Sequence, residues 1–240
     1  MHGLPLPSGE RSAPQAPGEG DTASGAILDE LASASLLDRL GIVRAPSVTL
    51  DVDIACPPGL PFPYPVAVKI LAADIPHKSD VGGVALGIAD GAALLDEMRK
   101  MRTRLRTRLP AVRAERVLVQ PMISGVGEVL IGYRVDRDVG PLIMAAAGGV
   151  LAEIGRDRSL RLAPVDLDGA REMIGELRAL IALSGYRGRP KGDLDALAAA
   201  IVALSQFADD HGVAEAEINP LIVRQAGEGV VAVDALVRLV

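Results

Sequence analysis

The 240-residue sequence has no tryptophan, and aromatic residues of all kinds make up only 2% of it. Hydrophobic residues nonetheless account for 49%, so a core must be built from Val, Ile, Leu and Ala. Aliphatic cores of that kind suit sheets covered by helices, whose strands read as near-continuous apolar runs. The single cysteine, Cys56, excludes an internal disulfide and fits a reducing compartment; it reads as a loop or core thiol with no role. Positive charge is also in short supply. A net charge of −6 argues against a general nucleic-acid binder, which needs a basic face, but leaves room for a local basic pocket. No stretch approaches the ~18 uncharged apolar residues of a membrane span. The N-terminus lacks a basic start followed by an apolar run, and no fixed-period repeat is evident. The expectation is a soluble, cytoplasmic protein with neither membrane nor nucleic acid as a partner.

What is present has a clear order. Residues 1–25 are rich in Pro, Gly, Ser and Glu and bury too little apolar surface to offset their ordering entropy, so a disordered tail is expected. A helix follows from about Thr22 or Ser24, with Ile27, Leu28, Leu31, Leu36, Leu37 and Leu40 near helical spacing, and Gly41 ends it. After an extended piece, Ser47 to Ile54, the five prolines between Cys56 and Pro65 require a loop. Strands are expected at Val66–Ala72, Val84–Ile88, Arg116–Met122, Glu128–Val135 and Pro141–Ala147. A helix from Gly91 to about Leu109 interrupts them, its basic stripe reading as a solvated face. A strand near Ser159–Val165, helices at Asp168–Leu183 and Asp193–His211, and closing strands Glu215–Val223 and Val230–Val237 complete the chain. The pattern indicates α/β or α+β, with two lobes at this length.

Four clusters carry chemistry. Lys69 is a lone cation on the apolar run Pro65–Ile70; a buried position needs its charge neutralised, which an anionic ligand such as a triphosphate does, whereas the wet face of an edge strand needs nothing. The loop Ile75–Gly83 holds His77, Lys78, Ser79 and the pair Gly82 and Gly83. Its backbone N–H groups can approach phosphate oxygens, and His77 can act as nucleophile or proton carrier near neutrality; an exposed or structural histidine is the alternative. Met144–Glu153 runs from a strand into Gly148 and Gly149, which resembles a phosphate-cradling turn but lacks the Walker pattern. On a strand, Glu215, Glu217 and Asn219 share one face, and Asp234 on the next strand can lie alongside. Such oxygens suit Mg²⁺, with waters and phosphate completing its shell; a polar solvent face is the other reading.

Taken together, the order of Tyr-Pro-Val-x-x-Lys69, His77-Lys-Ser-Asp-Val-Gly-Gly-Val, Val-Gln120-x-Met122, Gly-x-Glu128-Val, Gly148-Gly149-x-x-x-Glu, Arg-Leu-Ala-Pro, Gly-Tyr-Arg-Gly and Glu217-Ile-Asn-Pro-Leu with a closing Val-Asp234-Ala resembles the ATP-grasp region of ADP-forming (NDP-forming) acyl-CoA and acetyl-CoA synthetases. Succinyl-CoA synthetase β chains share the Glu-Ile-Asn-Pro-Leu element more distantly. The resemblance spans about residues 27–240. It implies a two-lobed ATP-grasp fold, mixed sheets flanked by helices, with a first lobe at 26–119 and a second at 120–240. It implies ATP or ADP held between the lobes by Lys69, Gln120, Met122, Glu128, Gly148 and Gly149, with Ser79, Gly82 and Gly83 as a phosphate loop. Asn219 and Asp234, with Glu217 close by, would hold Mg²⁺, and His77 would match the nucleotide-side histidine that accepts the phosphoryl group. The implied reaction is acid + CoA + ATP to acyl-CoA + ADP + phosphate, reversibly.

Two departures stand out. Pro121 occupies the junction where such proteins usually carry Glu, removing a carboxylate and a backbone N–H. The region between Gly41 and Val66 is short for a first lobe. A CoA-binding domain and a second phosphohistidine loop are absent from this sequence, so a separate CoA-binding α subunit is expected as partner, the complex binding CoA and a small carboxylic acid. A nucleotide-binding regulatory or scaffold subunit is the alternative, with Pro121 as its motive. A carboxylate–amine ligase of the same fold is the third reading, and the His-Lys-Ser-Asp loop speaks against it.

Overall fold

A computed structural model describes residues 25–57, 59–72, 75, 78, 79, 81–109, 115–148 and 157–240. The expected tail, apart from Gly25, lies outside the described residues, as do His77 and Gly149. The described chain forms two antiparallel sheets, each with its own hydrophobic core. Among the described residues no helix is long and apolar enough to cross a membrane.

The smaller sheet has the order β1 (Val48–Asp51), β4 (Arg116–Pro121), β2 (Val66–Leu71), β3 (Val84–Ile88). Every residue of β2 is buried, as expected for an inner strand covered on both faces. Alternation then divides its side chains. Val66, Val68 and Ile70 join Val117 and Val119 of β4 in a core closed by Leu94, Met98, Met101 and Leu105 of α2 (Gly91–Arg108). Ala67, Lys69 and Leu71 therefore face the other way, toward the larger half. Asp90 caps α2 by accepting the Ala93 N–H at 2.9 Å.

The larger sheet runs β10 (Ala235–Leu239), β8 (Val213–Val223), β5 (Gly127–Asp136), β6 (Gly140–Ala147), β7 (Arg158–Leu162), with β9 (Val230–Ala232) also on β8. The expected mixed sheets resolve into antiparallel ladders between the named strands, and the short hairpin 137–139 between β5 and β6 permits no parallel crossover there. Helices α3 (Leu167–Glu176) and α4 (Leu194–Ser205) supply the other side of the core. Asp166 and Asp193 cap their N-termini.

Several boundaries differ from the sequence expectation, three of them by tertiary contacts. The first helix, α1 (Glu30–Arg39), begins only after Asp29 accepts the Ala32 N–H at 2.8 Å, while Ile27 forms a bridge with Arg238. Its Leu37, with Ile42 beyond it, packs into the core of the larger sheet although both precede β1 in the chain. The helix expected at Asp168–Leu183 stops at Glu176 and continues as a 3₁₀ segment, Arg178–Ser184, whose first N–H groups, those of Arg178 and Ala179, donate to the Asp157 carboxylate. The last expected strand is divided into β9 and β10, because Val233 donates to the Pro220 carbonyl and the Asp234 carbonyl accepts from Asn219.

Candidate active site

The two halves meet around four charges. Lys69 is 3% exposed, and its ammonium contacts the Glu30 carboxylate at 2.9 Å, the Asp234 carboxylate at 3.2 Å and the Val233 carbonyl at 3.0 Å. Three partners match the three protons of an ammonium. Lys69 is thus not on the wet face of an edge strand, and the charges that neutralise it here are the protein's own carboxylates where the sequence suggested an anionic ligand. Glu30, the first residue of α1 and 6% exposed, has its second oxygen 2.7 Å from the Lys78 ammonium. Lys78 lies beside His77 in sequence. Burial, then repulsion from Glu30, raises the Asp234 carboxyl above the usual aspartate range, with Lys69 and Lys78 opposing.

In front of this cluster opens a cleft of about 400 Å³. Glu215, Glu217, Asn219 and Asp234 line one wall, and Lys78 and Ser79 line the opposite one. The shared face of Glu215, Glu217 and Asn219 follows from β8 geometry: Ala216 and Ile218 point into the core between them. At Asn219–Pro220 the pairing with β5 slips, Val129 facing Leu221 but Ile131 facing Ile218. One extra residue on β8 shifts the inward phase to Leu221 and Val223. The bulge leaves Asn219 on the cleft, its amide donating to Glu217 at 3.3 Å.

The other expected site residues fall as follows. Gln120 is buried on the same face of the small sheet as Lys69 and donates to the same Val233 carbonyl, at 3.2 Å. Met122 is 42% exposed just beyond β4, its N–H bonded to the Pro65 carbonyl at 3.1 Å. Gly82 and Gly83, expected to offer N–H groups to phosphate, instead close the turn, donating to the carbonyls of Ser79 (3.0 Å) and Lys78 (2.7 Å). The turn needs glycine at both positions: Gly82 has φ +71°, and a Cβ on Gly83 would lie 2.8 Å from the Ile70 side chain. Glu128 is exposed at the start of β5. Gly148 donates to its carbonyl at 2.7 Å and packs so closely that a Cβ would meet Glu128 atoms at 2.7–2.9 Å. Neither of these two, nor Met122, lines the 400 Å³ cleft. A larger groove of about 970 Å³ beside the β5–β6 turn, lined by Arg134, Asp136, Asp138 and His211 among others, shares only Glu215 with the expected clusters.

Sequence reasoning missed Glu30. A glutamate in a helix first turn is already explained by the helix dipole, so nothing local marks it as a partner of two distant lysines. It also missed Arg104, which donates to the Gly82 carbonyl at 3.2 Å and so holds the far end of the same loop.

Comparison with known proteins identifies the family. The ATP-grasp domain family matches residues 21–239. The chain is 37% identical over 198 residues to acetate–CoA ligase [ADP-forming] I of Archaeoglobus fulgidus, an overlap of 82% of this chain but only 29% of that protein. It is 35% identical over 178 residues to the β subunit of acetate–CoA ligase [ADP-forming] II of Pyrococcus furiosus, 73% of this chain and 75% of that subunit. Among solved structures, dinucleotide-forming acetyl-coenzyme A synthetase 1 of Ca. Korarchaeum cryptofilum, in complex with coenzyme A and Ca-AMPCP, superposes with a TM-score of 0.80 at 28% identity, covering 90% of this chain and 94% of that one. Another structure of the same synthetase holds coenzyme A and Mg-AMPPCP, with its phosphohistidine segment pointing towards the nucleotide-binding site; there the TM-score is 0.73 at 28% identity, over 90% and 93% of the two chains. The chain belongs to the ATP-grasp domain family, in the group formed by the β subunits and matching domains of ADP-forming acetate–CoA ligases.

Proposed function

We propose that this chain is the nucleotide-binding part of an ADP-forming acyl-CoA synthetase, an acid–thiol ligase that exchanges a phosphoryl group between ATP and a histidine. The observation that carries the reading is the convergence of Lys78 and Ser79 with Glu217, Asn219 and Asp234 on one inter-sheet cleft, with Lys69 buried directly behind it on Asp234. Cations for phosphate oxygens and hard oxygens for a metal are the two things phosphoryl transfer asks of a protein. The nucleotide complexes of the archaeal synthetase support the same reading.

Lys69 reaches a phosphate by giving up Asp234, the longest of its three contacts. His77 is the acceptor: one imidazole nitrogen bonds to the γ-phosphorus as the bond to the ADP oxygen breaks. Positioning and charge neutralisation then provide most of the catalysis. Gln120, Met122, Glu128 and Gly148, outside the 400 Å³ cleft, are assigned together with Gly149 to the part of the nucleotide that extends beyond it, and Lys78 and Ser79 face its phosphates. Glu217, Asn219 and Asp234 fit Mg²⁺ by donor chemistry, two carboxylates and an amide oxygen on one wall. When bound, that ion neutralises phosphate charge. The CoA-binding part is supplied by a partner α subunit or by the remainder of a longer polypeptide, and the free Cys56 suits a cytoplasmic setting.

The test is incubation with Mg²⁺ and γ-labelled ATP, with and without a CoA-binding partner. Acid-labile label on the unmodified chain and none on His77→Ala is expected. Nucleotide binding without label, even with a verified partner, would instead favour the regulatory reading.

A further inference from the structure

Glu30 has no part in the reaction as set out above, yet it is the most deeply committed acid in the site. Its two oxygens are divided between two lysines from different segments, Lys69 on β2 at 2.9 Å and Lys78 on the 78–83 turn at 2.7 Å. A buried ion pair rarely stabilises a fold better than apolar side chains of similar volume, so stability alone is a weak reason for such an arrangement. α1 packs on the larger sheet's core through Leu37, and Leu28, just before it, donates to the Val237 carbonyl at 2.9 Å. Glu30 is therefore fixed to one half while both of its lysines belong to the other. The turn that carries Lys78 is held from its far side by Arg104 on the Gly82 carbonyl. Only the Glu30 contact ties it to the larger half among the hydrogen bonds and ion pairs of its described residues.

We propose that Glu30 is a positioning residue for phosphoryl transfer, its single carboxylate setting both Lys69 and Lys78 against the wall formed by Glu217, Asn219 and Asp234. This rests on the function proposed above. Without Glu30, Lys69 keeps the Val233 carbonyl and still has Asp234 to exchange for phosphate, so nucleotide affinity depends on Glu30 weakly. Lys78 loses its carboxylate partner and with it the register of the turn across the cleft. Misplacement of that order in a transfer site costs on the order of tenfold to a hundredfold in rate.

The experiment compares the unmodified chain with Glu30→Gln, Lys78→Met and the double variant, and uses Asp193→Ala, far from the cleft, as a destabilised control. Three quantities are read: ADP affinity by calorimetry, the rate of acid-labile labelling from saturating γ-labelled ATP with Mg²⁺, and hydrogen exchange at the Gly82 and Gly83 amides. Expected are a labelling rate lowered about tenfold or more in each single variant, no further loss in the double, and ADP affinity within about threefold. Faster exchange at the two glycine amides should accompany the loss, while Asp193→Ala leaves the labelling rate unchanged. Additive losses in the double variant, unchanged labelling in Glu30→Gln, or equal slowing in the control would overturn the proposal. A chain that binds ADP but takes no label in its unmodified form sinks the functional reading and the transfer role with it. Exchange then reports separately whether Glu30 anchors the turn.

Discussion

Removing the Glu30 carboxylate is the perturbation whose cost can be worked most directly from the structure. In Glu30→Ala, Lys69 stays buried, with a side chain 4% exposed, and keeps only Asp234 at 3.2 Å and one carbonyl at 3.0 Å. Breaking a buried pair by deleting one partner typically costs about 3–5 kcal/mol, because the remaining charge is left uncompensated. Asp234 still compensates Lys69 in part, and Lys78, 14% exposed at its side chain, regains some solvation. The lower end of that range, about 3 kcal/mol, is the expected loss. Set against a total of about 5–15 kcal/mol for a typical domain, that is a large fraction. For a chain of this size it corresponds to a fall in Tm of roughly 6–12 °C. Urea unfolding followed by circular dichroism should show a lower midpoint with an unchanged slope. The exposed pair Arg171–Asp168, whose aspartate side chain is 88% exposed, gives the contrast: Asp168→Ala should leave the midpoint where it is. A loss below about 1 kcal/mol for Glu30→Ala would put the pair in the same class as surface ion pairs and refute the reasoning.

Further outcomes are expected elsewhere. Asp193 caps α4 through the Ala196 N–H and also accepts the Gly227 and Gly229 N–H groups, so Asp193→Ala should cost about 2 kcal/mol in urea unfolding, more than a simple cap. Those donors, Ala196 first and then Gly229, hold its carboxyl below the usual aspartate value. Its contribution is therefore fully present above the unfolded value of about 4 and is lost as pH falls through the folded one; the gap between the unmodified and variant curves should close toward acid pH. Gly148→Ala should destabilise by about 1–3 kcal/mol, since the new methyl meets the Glu128 backbone at 2.7–2.8 Å. Leu204→Ala, at a fully buried position of α4, should cost about 2–5 kcal/mol.

The parts of the fold that were legible are those where local pattern and tertiary role coincide. Val84–Ile88 and the α2 face of Leu94, Leu95, Met98 and Met101 read directly from the chain, because strand and helix periods were uninterrupted there. The helix ending at Glu176 was not legible, since the Asp157 carboxylate that takes the Arg178 and Ala179 N–H groups comes from 21 and 22 residues away. Nor was the division of the last strand at Val233–Asp234, which depends on hydrogen bonds to Asn219 and Pro220 of the neighbouring strand. In the site, the acidic face of β8 followed from alternation alone. The buried carboxylate opposite Lys69 did not: a charge 39 residues earlier in the chain leaves no periodic trace, and a lysine on an apolar strand is satisfied equally well by a bound anion. The N–H groups of Gly82 and Gly83 show the same limit, because whether a glycine amide faces a ligand or its own turn is a property of backbone geometry, not of residue type.

The central claim is phosphoryl transfer to a histidine of this chain, and it is tested most directly by locating the label. The chain is incubated with Mg²⁺ and γ-labelled ATP, quenched in alkali, digested and mapped by mass spectrometry. The account predicts acid-labile phosphate on the peptide containing His77, dependent on Mg²⁺ and lost in His77→Ala. Label on another residue, or none despite bound ATP and a verified CoA-binding partner, would contradict it.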